Sequence, residues 1–102
     1  MNQPIPFFNI IRIPEGKEAE VLDVWMKISN YMEASEGCVS TRLHRNLKNP
    51  SLLINNACFT HMGAFVELTE NKGFQALSQQ LTDLGVEREA GVYEVVHAFE
   101  QG

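Results

Sequence analysis

The chain has few basic residues and no long apolar run. Only eight of its 102 residues are Lys or Arg, against 13 Asp or Glu, which gives a net charge of −5. Because nucleic-acid binding needs a concentrated basic face, nucleic acid is not expected as a partner. No stretch approaches the roughly 20 apolar residues of a membrane span, and the N-terminus lacks the features of a secretion signal. We therefore expect a cytoplasmic protein with no membrane partner.

Motifs for metal, nucleotide and hydrolase chemistry are also missing. The sequence contains no GxGxxG, Walker, GxSxG or HExxH pattern, so it offers no residues for those reactions. Its histidines, His44, His61 and His97, are dispersed and have no metal-ligand spacing. Cys38 and Cys58 fit no zinc pattern either, and without a secretion signal we expect free thiols. Neither a metal nor a cofactor is predicted.

The strongest strand pattern runs from Gly37 to Arg45, GCVSTRLHR. Its side chains alternate between two faces, as they do in a strand. The next strand is predicted over 51–60, with a hairpin across 47–50. We expect a register in which the numbers of two paired residues add up to an even value near 96. It would bring Cys38 and Cys58 almost opposite each other. It also pairs residues on a mainly apolar face, Leu43 with Leu53, Thr41 with Asn55, and Val39 with Ala57.

Two further strands and two helical regions complete the pattern. A first strand is expected over 5–13, and a turn over 14–16. The helix that follows should end near Ser35 or Glu36, with Gly37 as a left-handed cap. Its apolar stripe recurs at helical spacing, with Val21, Trp25, Ile28 and Met32.

The second half of the chain predicts a broken helix and a closing strand. A short helix should begin after Thr60, which is a plausible N-cap, and run to a break at 71–73. A second helix carries Phe74, Leu77, Leu81 and Leu84 at helical spacing, and Gly85 should end it. The charged segment 86–91 is interpreted as a connector. The last strand is predicted over 92–99, because that stretch is apolar on both faces.

The order β-α-β-β-α-β predicts one α+β domain over residues 1–102, a ferredoxin-like antiparallel sheet with its helices on one face. The other sheet face mixes polar and apolar side chains, from Cys38, Ser40, Arg42 and His44 to Leu52, Ile54, Asn56 and Cys58. It is too apolar for bare solvent, so we expect a second subunit to cover it in a homodimer. The alternative is a monomer with a solvated sheet.

Asn9 is a polar residue in an apolar setting. It shares one face of the first strand with Phe7, Ile11 and Ile13. A buried amide without a hydrogen-bond partner costs roughly 1–3 kcal/mol. Either nearby backbone satisfies Asn9, or its amide is held in a pocket to orient a ligand.

Several stretches resemble the antibiotic biosynthesis monooxygenase family over nearly the whole chain. They are FFNIIRIPEGKEAEVLDVW, GCVSTRLHR, LINNACF and the closing VYEVV. The resemblance implies a ferredoxin-like homodimer, a dimeric α/β barrel, with a ligand cavity between sheet and helices in each subunit.

The resemblance further implies a cofactor-free monooxygenase acting on a small aromatic or polycyclic molecule. In such chemistry the deprotonated substrate supplies the electrons for oxygen, while the protein stabilises an oxyanion in a dry cavity. By that reasoning Asn9 is the first candidate for the donor, followed by Asn55 and Thr41. Trp25 and Phe59 would supply apolar walls. His61, at the cavity rim, is the candidate proton acceptor.

Other functions remain open at this stage. A haem-degrading branch resembles the chain at Asn9, but its strand-end Trp corresponds to Phe59 here and its iron-ligating His falls near Ser78. Haem degradation is therefore not expected. The main alternative is a dimer that binds or isomerises a small metabolite, or one with a structural role and no catalysis. Trp25, Phe59 and nearby methionines are bulky enough to fill the cavity, which would make Asn9 structural.

Overall fold

The computed structural model describes residues 4–102, which form four strands and three helices in the predicted ferredoxin-like order. The elements are β1 (Ile5–Arg12), α1 (Glu18–Ala34), β2 (Cys38–Arg45), β3 (Leu52–Phe59), α2 (Met62–Glu70), α3 (Lys72–Asp83) and β4 (Glu87–Val92). The strands form one antiparallel sheet in the order β2-β3-β1-β4. The α+β fold class is confirmed.

The β2–β3 hairpin has the predicted faces but a different register. Thr41 lies opposite Ala57 and Leu43 opposite Asn55, which is two residues away from the predicted pairing. The turn is longer than expected because the Asn46 Oδ1 accepts backbone N–H bonds from Lys48 at 2.8 Å and Asn49 at 2.9 Å. Since a shift of two residues preserves side-chain parity, the helix-facing and outer sets are unchanged from Ser40 to Arg45.

The start of β2 corrects two predictions. A bulge between Cys38 and Ser40 places Cys38 opposite Phe59, where it packs against the core rather than facing Cys58. Both cysteines are free. Gly37 has no positive φ and is not a left-handed cap. It is required for space instead, because a Cβ at this position would lie 2.0 Å from the Ala64 Cβ.

The helices cover one face of the sheet, as predicted. The α1 stripe is buried in full, with Val21, Trp25, Ile28 and Met32 in one core cluster with strand residues. The break between the next two helices falls at Asn71, whose Oδ1 caps α3 by accepting from the Phe74 N–H at 3.0 Å. Gly85, with φ of 87°, follows α3 as predicted. In residues 4–102 no helix is long and apolar enough to cross a membrane.

The last strand lies earlier than the sequence predicted. The segment interpreted as a connector forms β4, and residues 93–99 form no strand. The reason lies at the start of β1: Val92 pairs with Phe7 and the Tyr93 N–H donates to the Pro6 carbonyl at 2.8 Å, but Pro6 has no N–H to return a bond and β1 begins only one residue before it, at Ile5. The apolar residues beyond this point have no strand of the described chain to pair with.

Candidate functional site

The sheet forms the floor of a cavity around one row of paired residues. Ala90 of β4 lies opposite Asn9 of β1, which lies opposite Asn55 of β3. Directly opposed residues of antiparallel strands point to the same face, and Asn55 belongs to the helix-facing set. The small Ala90 side chain leaves room beside Asn9. Both amides therefore face the space beneath the helices.

The three helices close this space into a cavity of about 180 Å³. Its floor is lined by Phe7, Asn9, Asn55, Phe59, Arg88 and Ala90. Its roof is lined by Trp25, Ile28, Met32, Phe65, Leu68, Thr69, Phe74, Ser78 and Leu81. The lining is largely apolar, with few polar groups, which is the usual composition of a small-molecule site.

Both asparagines have a buried amide oxygen with no protein partner. Neither the Asn9 Oδ1 nor the Asn55 Oδ1 accepts a hydrogen bond from any residue in 4–102. Asn55 is only 2% exposed, so its carbonyl is shielded from bulk solvent. Each such oxygen carries a desolvation cost of roughly 1–3 kcal/mol. Two unsatisfied acceptors on neighbouring strands form a polar spot in an apolar cavity.

Thr41 supports this spot from outside the cavity lining. The Asn55 Nδ2 donates to the Thr41 Oγ1 at 3.2 Å. A hydroxyl both donates and accepts, so Thr41 can satisfy either end of the amide after a 180° rotation. Asn55 can therefore present either its carbonyl oxygen or its N–H groups while remaining bonded to Thr41.

Aromatic rings form one wall, and the predicted wall residues Trp25 and Phe59 are both part of the lining. Phe59 packs edge-on against Phe7 with ring centroids 6.3 Å apart and against Phe65 at 5.5 Å. Phe7 and Phe65 also stack at 5.4 Å. These contacts hold the wall in a fixed shape, and despite the bulky side chains the cavity remains open.

His61 lies away from this cavity. It is the N-cap of α2, where its Nδ1 accepts from the Ala64 N–H at 3.2 Å. It lines a separate open groove with Tyr31, Glu36 and Glu67. The fold therefore does not bring His61 beside Asn9, and a role in proton transfer at the cavity has no geometric support.

Arg88 was missed at the sequence level because its segment was interpreted as a connector. It lies opposite Ile11 on the helix-facing side of β4 and lines the cavity. Its Nη1 donates to the Ser78 Oγ at 2.7 Å and its Nη2 to the Thr82 Oγ1 at 2.6 Å. Partial burial lowers the pKa of the Arg88 guanidinium from its ordinary value. Strand alternation over 87–92 would have been the signal that revealed it.

Within the described part of the chain, no three His, Cys, Asp or Glu side chains lie close enough together to hold a metal ion. Ser78, at the position noted for the haem-degrading branch, lies in the cavity wall and accepts a hydrogen bond from Arg88. The polar groups of the cavity are amides, hydroxyls and one guanidinium, which bind oxygen-bearing organic groups.

Solved structures with the same fold come from several organisms. SnoaB, a cofactor-independent oxygenase from Streptomyces nogalater, is 21% identical, with 99% of this chain and 100% of that chain covered and a TM-score of 0.86. A conserved protein from Methanosarcina mazei Go1 is 19% identical, with 88% and 90% covered and a TM-score of 0.81. A protein from Shewanella oneidensis is 17% identical, with 91% of each chain covered and a TM-score of 0.80. These similarities show the fold.

Sequence comparison identifies the family. No curated protein sequence matches the chain. The family model described as antibiotic biosynthesis monooxygenase matches residues 8–80, more than half of the chain. The matched range includes Asn9 and Asn55 but ends before Arg88. The chain belongs to the antibiotic biosynthesis monooxygenase family.

Proposed function

We propose that the protein is a cofactor-independent monooxygenase that oxidises a small aromatic molecule in the cavity between sheet and helices. The observation that carries this proposal is the pair of unsatisfied amide oxygens, on Asn9 and Asn55, in an open apolar cavity. Family membership and the resemblance in fold to a cofactor-independent oxygenase support it.

The amides suit a substrate that loses a hydroxyl proton. The Asn9 or Asn55 carbonyl can accept a hydrogen bond from a phenolic O–H. The proton passes to solvent water, since an amide is not a base, and after rotation the same amide can donate N–H to the resulting oxyanion. The electron-rich anion then reduces oxygen. In the overall reaction a ring CH₂ becomes C=O, one oxygen atom enters the product, and the other leaves as water with the two hydrogens from carbon. The substrate supplies every electron.

Oxygen consumption tests this proposal. A panel of phenols and anthrones is incubated with the protein under air, and uptake is followed with an oxygen electrode alongside the quinone absorbance. We expect turnover of at least one compound, with Asn9→Ala slowing it by about 10²–10³-fold if the amide is an oxyanion donor. Turnover of that compound by Asn9→Ala at the wild-type rate would remove Asn9 from the mechanism.

The cavity volume favours a compact ligand. A cavity of about 150 Å³ holds benzene in another protein, and 180 Å³ accommodates a ligand of similar size. A polycyclic substrate would have to extend past Arg88. The same volume fits the second candidate function, in which a small metabolite is bound or isomerised without oxygen. Ligand-dependent chemistry that proceeds unchanged in an anaerobic cuvette would favour this second function.

We also propose that the protein is a homodimer whose partner covers the outer sheet face. The isolated chain exposes 7272 Å², roughly 1,500 Å² more than a compact monomer of this length. The excess is comparable to the roughly 800 Å² or more that each subunit of a stable dimer buries. Part of this exposed area belongs to apolar side chains. They are Ile54 on the outer face and, in the segment after β4, Val95, Val96 and Phe99, which are 69%, 89% and 81% exposed. Light scattering at micromolar concentration tests this, and a monomer mass would refute it.

A further inference from the structure

Arg88 is a half-buried cation without an anionic partner. The ion pairs among residues 4–102 join Lys17 to Glu20, Lys27 to Asp23, and Arg45 to Glu18, and Arg88 forms none of them. The neighbouring acidic residues of its strand, Glu87 and Glu89, alternate to the opposite sheet face. The other basic residues that form none of these ion pairs, Arg12, Arg42, Lys48 and Lys72, are exposed to solvent, whereas Arg88 is half-buried.

The position of Arg88 connects two spaces. Inside lies the 180 Å³ cavity with the asparagine pair, and outside lies an open groove of about 430 Å³ lined by Gln75, Gln79 and Thr82. Arg88 and Ser78 line both, together with Thr69 and Phe74. These four shared residues form the boundary between the two spaces, which we call the neck.

We propose that the ligand is an aromatic carboxylate, with its ring in the inner cavity and its carboxylate bound by Arg88 at the neck. This proposal rests on the proposed function, because it specifies the class of molecule that the same cavity takes. It adds a recognition residue outside the range that the family match covers.

The remaining hydrogen-bonding capacity at the neck suits a carboxylate. A guanidinium has five N–H donors in a planar fork, and the bonds to Ser78 and Thr82 leave donors unused. The Ser78 hydroxyl accepts from Arg88, so its own proton is available to donate. A carboxylate accepts several hydrogen bonds in the plane of such a fork. Partial desolvation of Arg88 strengthens the attraction, because the charge is screened less than at the surface.

Matched probes test the charge requirement directly. Benzoate and benzamide have the same ring and similar shape, but only benzoate is anionic at pH 7. Each is titrated into ¹⁵N-labelled full-length protein, and shifts of the Asn9 and Ala90 backbone amides localise binding to the cavity. We expect benzoate to bind at least about 10-fold more tightly than benzamide, as charge-assisted bonds to Arg88 would require.

Three variants show whether the preference for benzoate depends on the charge of Arg88. Arg88→Gln should weaken benzoate binding far more than benzamide binding and so abolish the preference for benzoate, and Arg88→Lys should restore part of it. Arg12→Gln removes an exposed arginine from the opposite face of β1 and should change neither affinity. Thermal melts of each variant verify folding.

The outcomes distinguish the carboxylate proposal from the function on which it rests. Equal binding of both probes to the wild-type cavity, or a benzoate preference that survives Arg88→Gln, would overturn the carboxylate proposal and leave the ligand cavity intact. If neither probe shifts the cavity resonances, the carboxylate proposal fails, while the oxygen-uptake assay with phenols and anthrones decides the proposed function separately.

Discussion

Replacing Asn9 with leucine should stabilise the unliganded protein. The Asn9 Oδ1 is buried without a partner, and removing such a group recovers part of a desolvation cost of roughly 1–3 kcal/mol. Leucine has a similar length and branches at the same carbon, and the adjoining cavity of 180 Å³ can take its extra volume. Overpacking, which would cost about 1–3 kcal/mol in a filled core, is therefore avoided.

We expect the free energy of unfolding to rise by about 1–2 kcal/mol. The value lies in the lower part of the range because water entering through the neck can satisfy some of the lone pairs of Asn9. In a domain of about 100 residues, 1 kcal/mol corresponds to a Tm increase of about 4–8 °C. Urea unfolding followed by circular dichroism, at one fixed protein concentration, gives the free energy, and the same variant should lose turnover.

A control and a contrary result complete this test. Asn30→Leu changes the same residue types on an exposed part of α1 and should stay within about 0.5 kcal/mol of the wild type. A loss of 1 kcal/mol or more in Asn9→Leu, with activity retained, would show that the amide supports the fold rather than a ligand, and the reasoning about unsatisfied oxygens would be wrong.

Three other predictions concern the interface, the packing and a thiol. Ile54→Glu places a charge on the outer face and should yield monomers by light scattering if that face is the dimer interface. Gly37→Ala should lower the free energy of unfolding by about 1–3 kcal/mol in urea titrations, because the new methyl group would overlap the Ala64 Cβ. Burial raises the pKa of the Cys38 thiol, so less thiolate forms at pH 8. In a Cys58→Ser variant, Cys38 should react with a disulfide reagent more slowly than free cysteine at pH 8. As the pH is raised further, the rate of Cys38 should still increase at pH values where the rate of free cysteine has become constant.

Local patterns were sufficient to predict most of the fold. The stripe from Val21 to Met32 and the alternation of β3 each have one regular period, and burial follows that period. The failures came from features that lie outside these periods. The register of β2 and β3 depends on a turn built by the Asn46 side chain, which alternation does not encode. The place of β4 depends on the extent of β1, not on the strand propensity of the segment itself.

The misplaced strand explains why the site was only half predicted. Asn9, Asn55, Trp25 and Phe59 lie on elements whose position was right, and the structure brings all four to one cavity. Arg88 lies on the element whose position was wrong. His61 was assigned to the rim because it follows β3, but its imidazole turns to cap α2. Capping chemistry is local and decides where such a side chain points.

The asparagine pair bears on the choice between a ligand-binding and a purely structural role for the protein. Two buried carbonyl oxygens without protein donors cost about 2–6 kcal/mol together, a large part of the 5–15 kcal/mol by which such domains are stable. Packing alone gains nothing from the Asn9 oxygen, because an apolar residue at Asn9 would fill the same space without this cost. A hydroxyl-bearing ligand would convert the cost into binding energy by donating to one oxygen and receiving N–H bonds from the other amide. The amides therefore fit a ligand-binding cavity better than a filled core.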